Sequence, residues 1–382
     1  MQKETKQKKQ DLGIFYTDQR IVDFMYGILS IWKEKEDKDL KRWGSRKPHA
    51  HYPSVIDPAC GEGVFLKRAI EMGFTGYHPQ YNIPYVFGVD LDGSVVNRWE
   101  ELSLLNLFNN NKKAMTAHFY CQNGLIDLPD RKLPYKKQED GLTQYDAVVG
   151  NPPYGGLGIY DDMRALSEAV LSSKKVQNIS TQKLDNLFGE EIEKVVKENR
   201  IIHTEIKLPP LRLLELRSIS KALINYVIWK DKKYIPSRIN YPININGVDF
   251  NLKDILIFKE IDRLKGFPIE ILFLERFIQL AKPGGWIAII IPDGILTNSN
   301  SHYVREFIAD RAKVEAIVSL PRDAFKNVGT SAKTSILFLQ KYKDQGEKRN
   351  LNYPVFLASV ESLEENYFKI IKGAYQKHYT KI

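Results

Sequence analysis

The sequence contains almost no cysteine, since only Cys60 and Cys121 occur among its 382 residues. Two cysteines supply no disulfide framework of the kind that holds small secreted domains together. The seven histidines form no spaced cluster with them that would bind zinc, so the sequence predicts no metal site. The chain is instead long enough to bury a large core, in one large domain with an insertion or in two domains.

Long apolar runs are also absent. No stretch approaches the roughly 18 uninterrupted apolar residues that a membrane-spanning helix needs. The first ten residues are basic, but no apolar segment follows them as it would in a secretory signal. We therefore expect a cytoplasmic protein that has no membrane partner.

Acidic residues are outnumbered by basic ones, 47 against 56, which gives a formal net charge of +9. Such a surplus favours a polyanionic partner such as nucleic acid, because each neutralised phosphate releases condensed counterions. A basic but ordinary solvated surface explains the same charge equally well. Charge alone therefore leaves the partner open.

Short β-rich apolar runs alternate with longer helical patterns along most of the chain. This alternation predicts an α/β fold, a doubly wound, mostly parallel, seven-stranded Rossmann-like sheet with helices on both faces. Ligands of such sheets bind beyond the carboxyl ends of the strands. The predicted strands lie at residues 54–57, 85–90, 118–120, 146–149, 286–292, 314–320 and 335–339, and helical patterns at 64–73, 92–108, 269–281 and 301–312.

Residues 155–268 break this rhythm and predict a large insertion between two core strands. They are charged and contain a long helical pattern near residues 185–200 and a polar strand-like piece at 239–247. The helical pattern carries many acids, although Arg212, Arg217 and Lys221 are candidates for a contact with a DNA backbone. The predicted organisation is a first core part at 1–154, the insertion of uncertain role, and a second core part with a short tail at 269–382.

A tight glycine turn follows the first predicted strand, in Val55-Ile-Asp-Pro-Ala-Cys-Gly-Glu-Gly63. Gly61 and Gly63 allow the backbone to approach a ligand closely. The third glycine of the dinucleotide fingerprint is missing, and Asp57 at the strand end suits a cationic ligand such as the ammonium group of methionine. Taken alone, however, the pattern is also typical of an ordinary turn from strand to helix.

A second acidic residue, Asp90, ends the next predicted strand. A carboxylate in this position can accept hydrogen bonds from both hydroxyls of a ribose. The structural alternative is a helix N-cap, a role for which Asp92 is better placed. Two acidic strand ends about one βα unit apart favour a nucleoside-type ligand more than either does alone.

The sequence Asn151-Pro-Pro-Tyr154 follows the strand predicted at 146–149, and its two prolines fix a rigid, extended turn. An exocyclic aromatic amine is a poor nucleophile because its lone pair is delocalised into the ring. Acceptors that hold both of its protons reverse this, and the Asn151 side-chain oxygen and the Pro152 carbonyl are the predicted acceptors. Tyr154 is expected to stack on the base. A rigid loop with a packed tyrosine is the structural alternative.

In this order the motifs resemble those of the gamma type of N6-adenine DNA methyltransferases. The resemblance spans residues 11–154 and 269–341, and its later segments, 277–296 and 320–339, look like type I restriction modification subunits and single-chain restriction-modification enzymes. It implies a methyltransferase fold that transfers the methyl group of S-adenosylmethionine directly, in line, to the N6 amine of a flipped adenine. It also implies a place in a restriction-modification or related defence system.

The resemblance assigns a role to each motif. Asp57 would bind the methionine ammonium, Asp90 the ribose hydroxyls, and the turn at Asn123-Gly124 the cofactor adenine. Phe325 would form a second wall, besides Tyr154, for the flipped adenine. The implied site comprises Asn151, Pro152, Pro153 and Tyr154 for catalysis, and Phe15, Tyr16, Thr17, Asp57, Pro58, Ala59, Cys60, Gly61, Gly63, Asp90, Leu91, Asn123 and Gly124 for the cofactor.

Two positions depart from the family pattern. Asn123 stands where members often have aspartate, but an amide oxygen still accepts a hydrogen bond from an adenine amine. Asp18 follows Thr17 where many members have proline, which leaves the shape of that loop open.

The resemblance implies double-stranded DNA as a partner, with a specificity subunit or recognition domain and a nuclease as further candidates. Only about 40 residues follow Lys341, too few by domain-size norms for a recognition domain. We therefore expect the DNA sequence to be recognised by a partner or an absent portion of the protein rather than by residues 155–268.

Other functions fit parts of the sequence. A methyltransferase acting on a glutamine side chain or an rRNA guanine would use the same Asn-Pro-Pro-Tyr turn, but such enzymes lack the loop at residues 12–17 and the segment at 291–296. A non-catalytic DNA-binding or assembly subunit would keep the fold without turnover. A nicotinamide dehydrogenase is disfavoured by the missing third glycine.

Overall fold

The computed structural model describes residues 17–42, 53–78, 81–101, 104–129, 144–155, 159–172, 209–230, 240–325, 333–348 and 352–380. The chain divides into two compact units. The first comprises Met1–Gly124, Leu128–Tyr154 and Phe273–Ile382, and the second Leu125–Asp127 and Gly155–Leu272.

Strands and helices alternate along the described chain. The strands are β1 (Val55–Asp57), β2 (Val86–Asp90), β3 (Phe119–Cys121), β4 (Tyr145–Gly150), β5 (Pro242–Ile245), β6 (Val248–Asn251), β7 (Ala281–Pro292), β8 (Ala312–Ser319), β9 (Thr334–Lys341) and β10 (Phe356–Ser359). The helices are α1 (Gln19–Arg42), α2 (Val64–Glu71), α3 (Val95–Glu101), α4 (Leu104–Leu107), α5 (Lys112–Ala117), α6 (Tyr160–Ser172), α7 (Pro210–Asn225), α8 (Phe258–Lys265), α9 (Ile269–Leu280), α10 (Asp293–Thr297), α11 (His302–Ala309), α12 (Gln345–Lys348) and α13 (Glu365–Tyr379). Short 3-10 turns occur at Leu252–Asp254 and Ser299–Ser301.

The first unit is built on an eight-stranded mixed sheet with the order β10-β8-β9-β7-β4-β1-β2-β3. Strand β9 runs antiparallel to β7 and β8, while the other neighbours pair in parallel. The central strand β4 is buried along its whole length, as expected of a parallel strand covered on both faces. The predicted α/β fold with a mostly parallel sheet is confirmed.

Within the described residues the sheet has eight strands, so the prediction of seven was wrong. The additional strand, β10, pairs in parallel with β8, with Phe356 opposite Ala316. It forms the edge of the sheet, and Leu357 on its outer side is 70% exposed. The apolar run at residues 355–360 signals this strand, but it lies beyond the motifs, which end near residue 341.

The segment after Lys341 contributes to the first unit. Helix α13 packs against α1, with the Phe24 and Phe368 rings 5.1 Å apart at their centroids. Trp32 Nε1 donates a hydrogen bond to the Tyr375 hydroxyl at 2.5 Å, and all four rings are buried. Burial of these large aromatic side chains anchors both ends of the described chain to one core.

The second unit combines helices α6, α7 and α8 with the β5–β6 hairpin. Asn246 and Gly247 both have positive φ angles, 49° and 81°, as a two-residue hairpin turn requires. Arg212 of α7 pairs with Asp162 of α6 and, at 2.6 Å, with Glu215. The helical pattern predicted near residues 185–200 lies outside the described residues.

Candidate active site

Four parallel strands of the first unit bring the predicted site residues to one edge of the sheet. Strands β3, β2, β1 and β4 are successive neighbours and all point the same way. Asp57 ends β1, Asp90 ends β2, the turn at residues 123–124 follows β3, and Asn151–Tyr154 follows β4. Their shared carboxyl edge is where such sheets bind ligands.

Asp57 is a buried carboxylate whose charge is not compensated within the described residues. Its side chain accepts one hydrogen bond, from the Ala59 backbone N–H at 3.0 Å, and the residue is 1% exposed. No lysine or arginine of the described chain pairs with it. Burial raises the pKa of Asp57 to about 8, and the Asp90 charge raises it further against the lowering effect of the Ala59 hydrogen bond. A buried anion without a partner is costly, so this position suits a cationic ligand.

Gly150 joins Asp57 to the turn that follows β4. A Cβ atom at Gly150 would lie 2.5 Å from Asp57 Oδ1, far inside normal contact. Only glycine lets the end of β4 approach the carboxylate this closely. Since Asn151 is the next residue, the cation-binding position and the Asn-Pro-Pro-Tyr turn are held side by side.

Asp90 also has a structural role that the sequence does not reveal. Its Oδ2 accepts from the Gly61 N–H at 2.8 Å, and its Oδ1 accepts from the Asp92 N–H at 2.9 Å. Burial raises the pKa of Asp90, and these backbone hydrogen bonds partly offset that effect. Each carboxylate oxygen retains a lone pair, so Asp90 can still accept from a ribose while it fixes the glycine turn.

Trp99, a residue that sequence motifs do not point to, sets the tightness of the glycine turn. A Cβ atom at Gly63 would lie 2.8 Å from Trp99 Nε1, and one at Gly88 would lie 2.7 Å from the same ring. Gly63 has a φ of 80° and precedes helix α2, so it needs glycine for its conformation as well. Gly61, with a φ of 48°, has an open side, since nothing lies within 4 Å of the corresponding Cβ position.

Cys60 lies within the same turn, and its side chain belongs to the apolar core. Its backbone N–H donates to the Val89 carbonyl at 2.9 Å, and its side chain is buried. Burial raises the pKa of the Cys60 thiol, with the Asp90 and Asp57 charges adding to the effect. The thiol therefore stays protonated and serves packing.

The turn after β3 lies directly against the glycine turn. A Cβ atom at Gly124 would lie 2.0 Å from the Pro58 carbonyl oxygen, so only glycine fits. The buried Arg276 of α9 donates from Nε to the Gly124 carbonyl at 3.1 Å, a contact that no local motif signals. Asn123 is half-buried, and Leu91, 55% exposed after Asp90, offers an apolar surface at this edge.

The Asn151 side chain is held from both ends. Its Oδ1 accepts from the Tyr154 hydroxyl at 2.5 Å, and its Nδ2 donates to Thr17 Oγ1 at 3.2 Å. The Tyr154 hydroxyl also lies 3.4 Å from the Ile290 carbonyl oxygen. Pro152 is buried, whereas Pro153 and Tyr154 are half-buried. The structure thus brings Thr17 and the Asn-Pro-Pro-Tyr turn together, while Phe15 and Tyr16 lie outside the described residues.

The hydrogen bonds of Asp18 determine the backbone conformation next to Thr17. Its side chain accepts from the Arg20 backbone N–H at 2.9 Å and its carbonyl from that of Ile21 at 3.0 Å, which starts helix α1. The hydrogen bond from the Arg20 side chain lowers the pKa of Asp18. An N-capping aspartate therefore begins the helix where many resembling proteins have proline.

Phe325 has a different environment from the one expected of it. Its side chain is 1% exposed and belongs to the apolar core of the first unit. A contact between Phe325 and a flipped base would therefore require this side chain to become exposed.

Two other kinds of feature are absent from the described part of the chain. None of its helices is both long and apolar enough to cross a membrane. Its histidine, cysteine, aspartate and glutamate side chains form no group of three or more that could hold a metal ion.

Comparison with known proteins gives partial matches of low identity. The chain is 24% identical over 147 residues to the type II methyltransferase M.HincII of Haemophilus influenzae, across 38% of this chain and 18% of that protein. It is 28% identical over 148 residues to the uncharacterized protein YtxK of Bacillus subtilis, across 38% of this chain and 42% of that protein. The matches therefore span less than half of either relative.

A solved structure and a family model also match. The structure, a type I restriction-modification system methyltransferase subunit of Streptococcus thermophilus, has 16% identity and a TM-score of 0.45, and covers 96% of this chain and 54% of that one. The family model, described as N-6 DNA methylase, matches residues 1–199 and 262–366, which is more than half of the sequence. The chain therefore belongs to the N-6 DNA methylase family.

Proposed function

We propose that this chain transfers a methyl group from S-adenosylmethionine to the N6 amine of adenine in DNA. The observation that carries the proposal is that the buried, uncompensated Asp57 lies beside the Asn151–Tyr154 turn, because Gly150 lets the two approach closely. One half of this arrangement fits a cation, and the other half fits an amine that must be activated. Membership of the N-6 DNA methylase family supports the same chemistry.

The residues at the sheet edge fit the cofactor. Asp57 would bind its ammonium group, Asp90 its ribose hydroxyls, and Leu91 one face of its adenine. The glycine turn would lie along it, since the side of Gly61 is open. When bound, S-adenosylmethionine supplies a methyl group on a positively charged sulfur. Asp57 is buried and has no cationic partner among the described residues, which fits its assignment to the ammonium group.

The turn after β4 would activate the target amine. Asn151 Oδ1 and the Pro152 carbonyl accept hydrogen bonds from the two amine protons, which localises the lone pair on nitrogen. Transfer would break the sulfur–methyl bond and leave a neutral thioether, and the methylated nitrogen would then release one of its protons to solvent and become neutral. The Tyr154 ring stacks on the base, and its hydroxyl must first share or release Asn151 Oδ1.

A base within a duplex cannot present its amine to this turn, so we propose that the target adenine is flipped out. We further propose that a partner subunit or recognition domain selects the DNA sequence, within a restriction-modification or related defence system. The Haemophilus influenzae relative, a type II methyltransferase, supports this setting. Within the insertion, Arg212 is engaged in ion pairs and Arg217 donates to the Asp249 carbonyl, which leaves fewer cations for DNA.

The test is methylation in a host that lacks its own adenine methylation, read by single-molecule sequencing with and without the neighbouring genes. We expect N6-methyladenine within one DNA motif. Purified chain should also bind S-adenosylmethionine in a titration. The absence of cofactor binding, or a methyl group on a protein or on rRNA instead of DNA, would overturn the proposal.

Asn151→Ala is the corresponding variant. We expect a loss of about 100-fold or more in the single-turnover rate, with cofactor affinity nearly unchanged, because the amide contacts the amine and not the sulfonium. Tyr154→Ala should weaken stacking by about 1–3 kcal/mol, measured by the fluorescence of a duplex that carries 2-aminopurine at the target position. Near wild-type turnover by Asn151→Ala would exclude its catalytic role.

A further inference from the structure

We infer that Thr17 is a positioning residue, and that its hydroxyl fixes which end of the Asn151 amide faces the substrate. The inference rests on the proposed function, because it concerns the same turn, but it assigns to Thr17 a role separate from cofactor binding. The direct observation is the 3.2 Å hydrogen bond from Asn151 Nδ2 to Thr17 Oγ1.

The orientation of this amide decides what it can do. An asparagine side chain has an accepting oxygen at one end and a donating NH2 group at the other. With the oxygen toward the target, Asn151 accepts an amine proton. If the amide were rotated by 180°, it would present two donors to an amine and activate nothing. The amide therefore has to be held in one of two orientations that differ little in shape.

Two contacts hold it in the ligand-free structure, one at each end. The Tyr154 hydroxyl donates to Oδ1, and the Thr17 hydroxyl accepts from Nδ2. The described residues give the Asn151 amide no third hydrogen-bond partner. Tyr154 occupies the same oxygen that a target amine has to reach. Once the amine engages Oδ1, the contact to Thr17 is the one that still specifies the orientation.

Thr17 is well placed for this task because a rigid element begins directly behind it. Asp18 caps helix α1 through the Arg20 N–H, and the Asp18 carbonyl accepts from the Ile21 N–H. Ile21 and Met25 on this helix are fully buried in the core. The hydroxyl is thus tied to the helix start, which limits how far it can move away from Asn151.

The test compares Thr17→Val, which keeps the shape and removes the acceptor, with Thr17→Ser, which keeps the hydroxyl. At saturating cofactor and DNA, we expect Thr17→Val to lower the single-turnover methylation rate by about 10- to 100-fold. This loss should persist when the S-adenosylmethionine concentration is raised further, and Thr17→Ser should restore most of the rate. Thr116→Val is the matched control, since the Thr116 side chain is exposed and its hydroxyl donates to the Lys112 carbonyl of its own helix.

A second measurement reports on the amide itself. In asparagine-labelled protein, the Asn151 side-chain NH2 resonance, identified by its loss in Asn151→Ala, should shift and exchange faster with solvent in Thr17→Val. It should do neither in Thr17→Ser or Thr116→Val.

The outcomes separate the two proposals. An unchanged NH2 resonance in Thr17→Val, or a rate loss that saturating cofactor abolishes, would overturn the positioning role and leave the methyltransferase function standing. Absence of DNA methylation by the wild type would count against the proposed function, and the resonance would still decide the role of Thr17.

Discussion

The ends of β1 and β2 carry the same residue in the same position, but their environments differ. Asp90 has a backbone N–H on each carboxylate oxygen, whereas Asp57 has one backbone N–H in all and almost no exposure. Burial raises the pKa of both, and more backbone hydrogen bonds counteract this effect at Asp90 than at Asp57. The described residues thus satisfy Asp90 more fully than Asp57, and we propose that a cationic ligand satisfies Asp57.

The difference indicates separate roles for the two aspartates. A carboxylate that fixes a turn contributes to stability whether or not a ligand is bound. A buried carboxylate without a counterion lowers stability until a cation arrives, which is a common cost of a binding site. Substitutions at the two strand ends should therefore change stability in opposite directions and cofactor affinity in the same direction.

Asp57→Asn should have the largest effect. We expect the affinity for S-adenosylmethionine to fall by about 100-fold, because a charge-assisted hydrogen bond contributes roughly 1.5–3 kcal/mol. The ligand-free protein should melt at a higher temperature than wild type, because asparagine is neutral at every pH, whereas Asp57 has to take up a proton to be buried without a counterion. Titration calorimetry and thermal melts measure the two quantities. If Asp57→Asn bound the cofactor normally, or were less stable than wild type without ligand, the proposed difference between Asp57 and Asp90 would be wrong.

The pH dependence gives the next largest effect. The pKa of Asp57 rises from 3.8 to about 8 in the folded state, so between these values the folded protein holds a proton that the unfolded chain has lost. The Asp57 contribution to stability without ligand should therefore fall as pH rises from 4 to 8, by a few kcal/mol in order of magnitude. The difference between wild type and Asp57→Asn in melts across this range measures this contribution.

The same titration links protons to the cofactor. Because an ammonium group binds the ionised carboxylate, affinity should rise by about tenfold per pH unit up to the pKa of Asp57. At pH 7 binding should release about one proton. Calorimetry in buffers of different ionisation enthalpy measures this release, which should disappear in Asp57→Asn. Equal heats in all buffers for wild type would contradict the assignment of Asp57.

Much of this arrangement could be predicted from local sequence patterns. Seven strands, the glycine turn, the two acidic strand ends and the Asn-Pro-Pro-Tyr turn each show in a short stretch. The remainder depends on residues distant in sequence. The Thr17–Asn151 hydrogen bond spans 134 residues and the Arg276–Gly124 hydrogen bond spans 152.

The side-chain packing around the site could not be predicted from the sequence motifs either. The Trp99 ring behind Gly63 and the burial of Phe325 follow from how helices and loops cover the sheet, which no single motif encodes. The N-cap at Asp18 is a local feature. It was not predicted, because many members of the resembling family have proline at this position.

Gly150→Ala tests the coupling between the end of β1 and the turn after β4, with a smaller expected effect. The added methyl group would overlap the Asp57 carboxylate at 2.5 Å, so the strand end or the carboxylate must shift. We expect a loss of about 1–3 kcal/mol in the free energy of unfolding, as for other overpacked sites, together with weaker cofactor binding. Gly373→Ala is the control, since its Cβ would meet nothing within 4 Å. Equal stability of the two variants would show that Gly150 does not set this spacing.

Asp90→Asn should have the smallest effect and the opposite sign in stability from Asp57→Asn. The amide keeps one accepting oxygen, so one of the backbone contacts to Gly61 and Asp92 persists and the other is lost. The expected loss is about 0.5–1.5 kcal/mol in the free energy of unfolding, the net contribution of an ordinary hydrogen bond. Cofactor affinity should fall by about tenfold, because the carboxylate would also lose charge-assisted contacts to the ribose. Chemical denaturation and calorimetry on both aspartate variants at one pH provide the measurement. If Asp90→Asn stabilised the ligand-free chain as Asp57→Asn is expected to do, both aspartates would be ligand-directed, and the glycine turn would be held without Asp90, by Trp99 packing and the Cys60–Val89 backbone hydrogen bond.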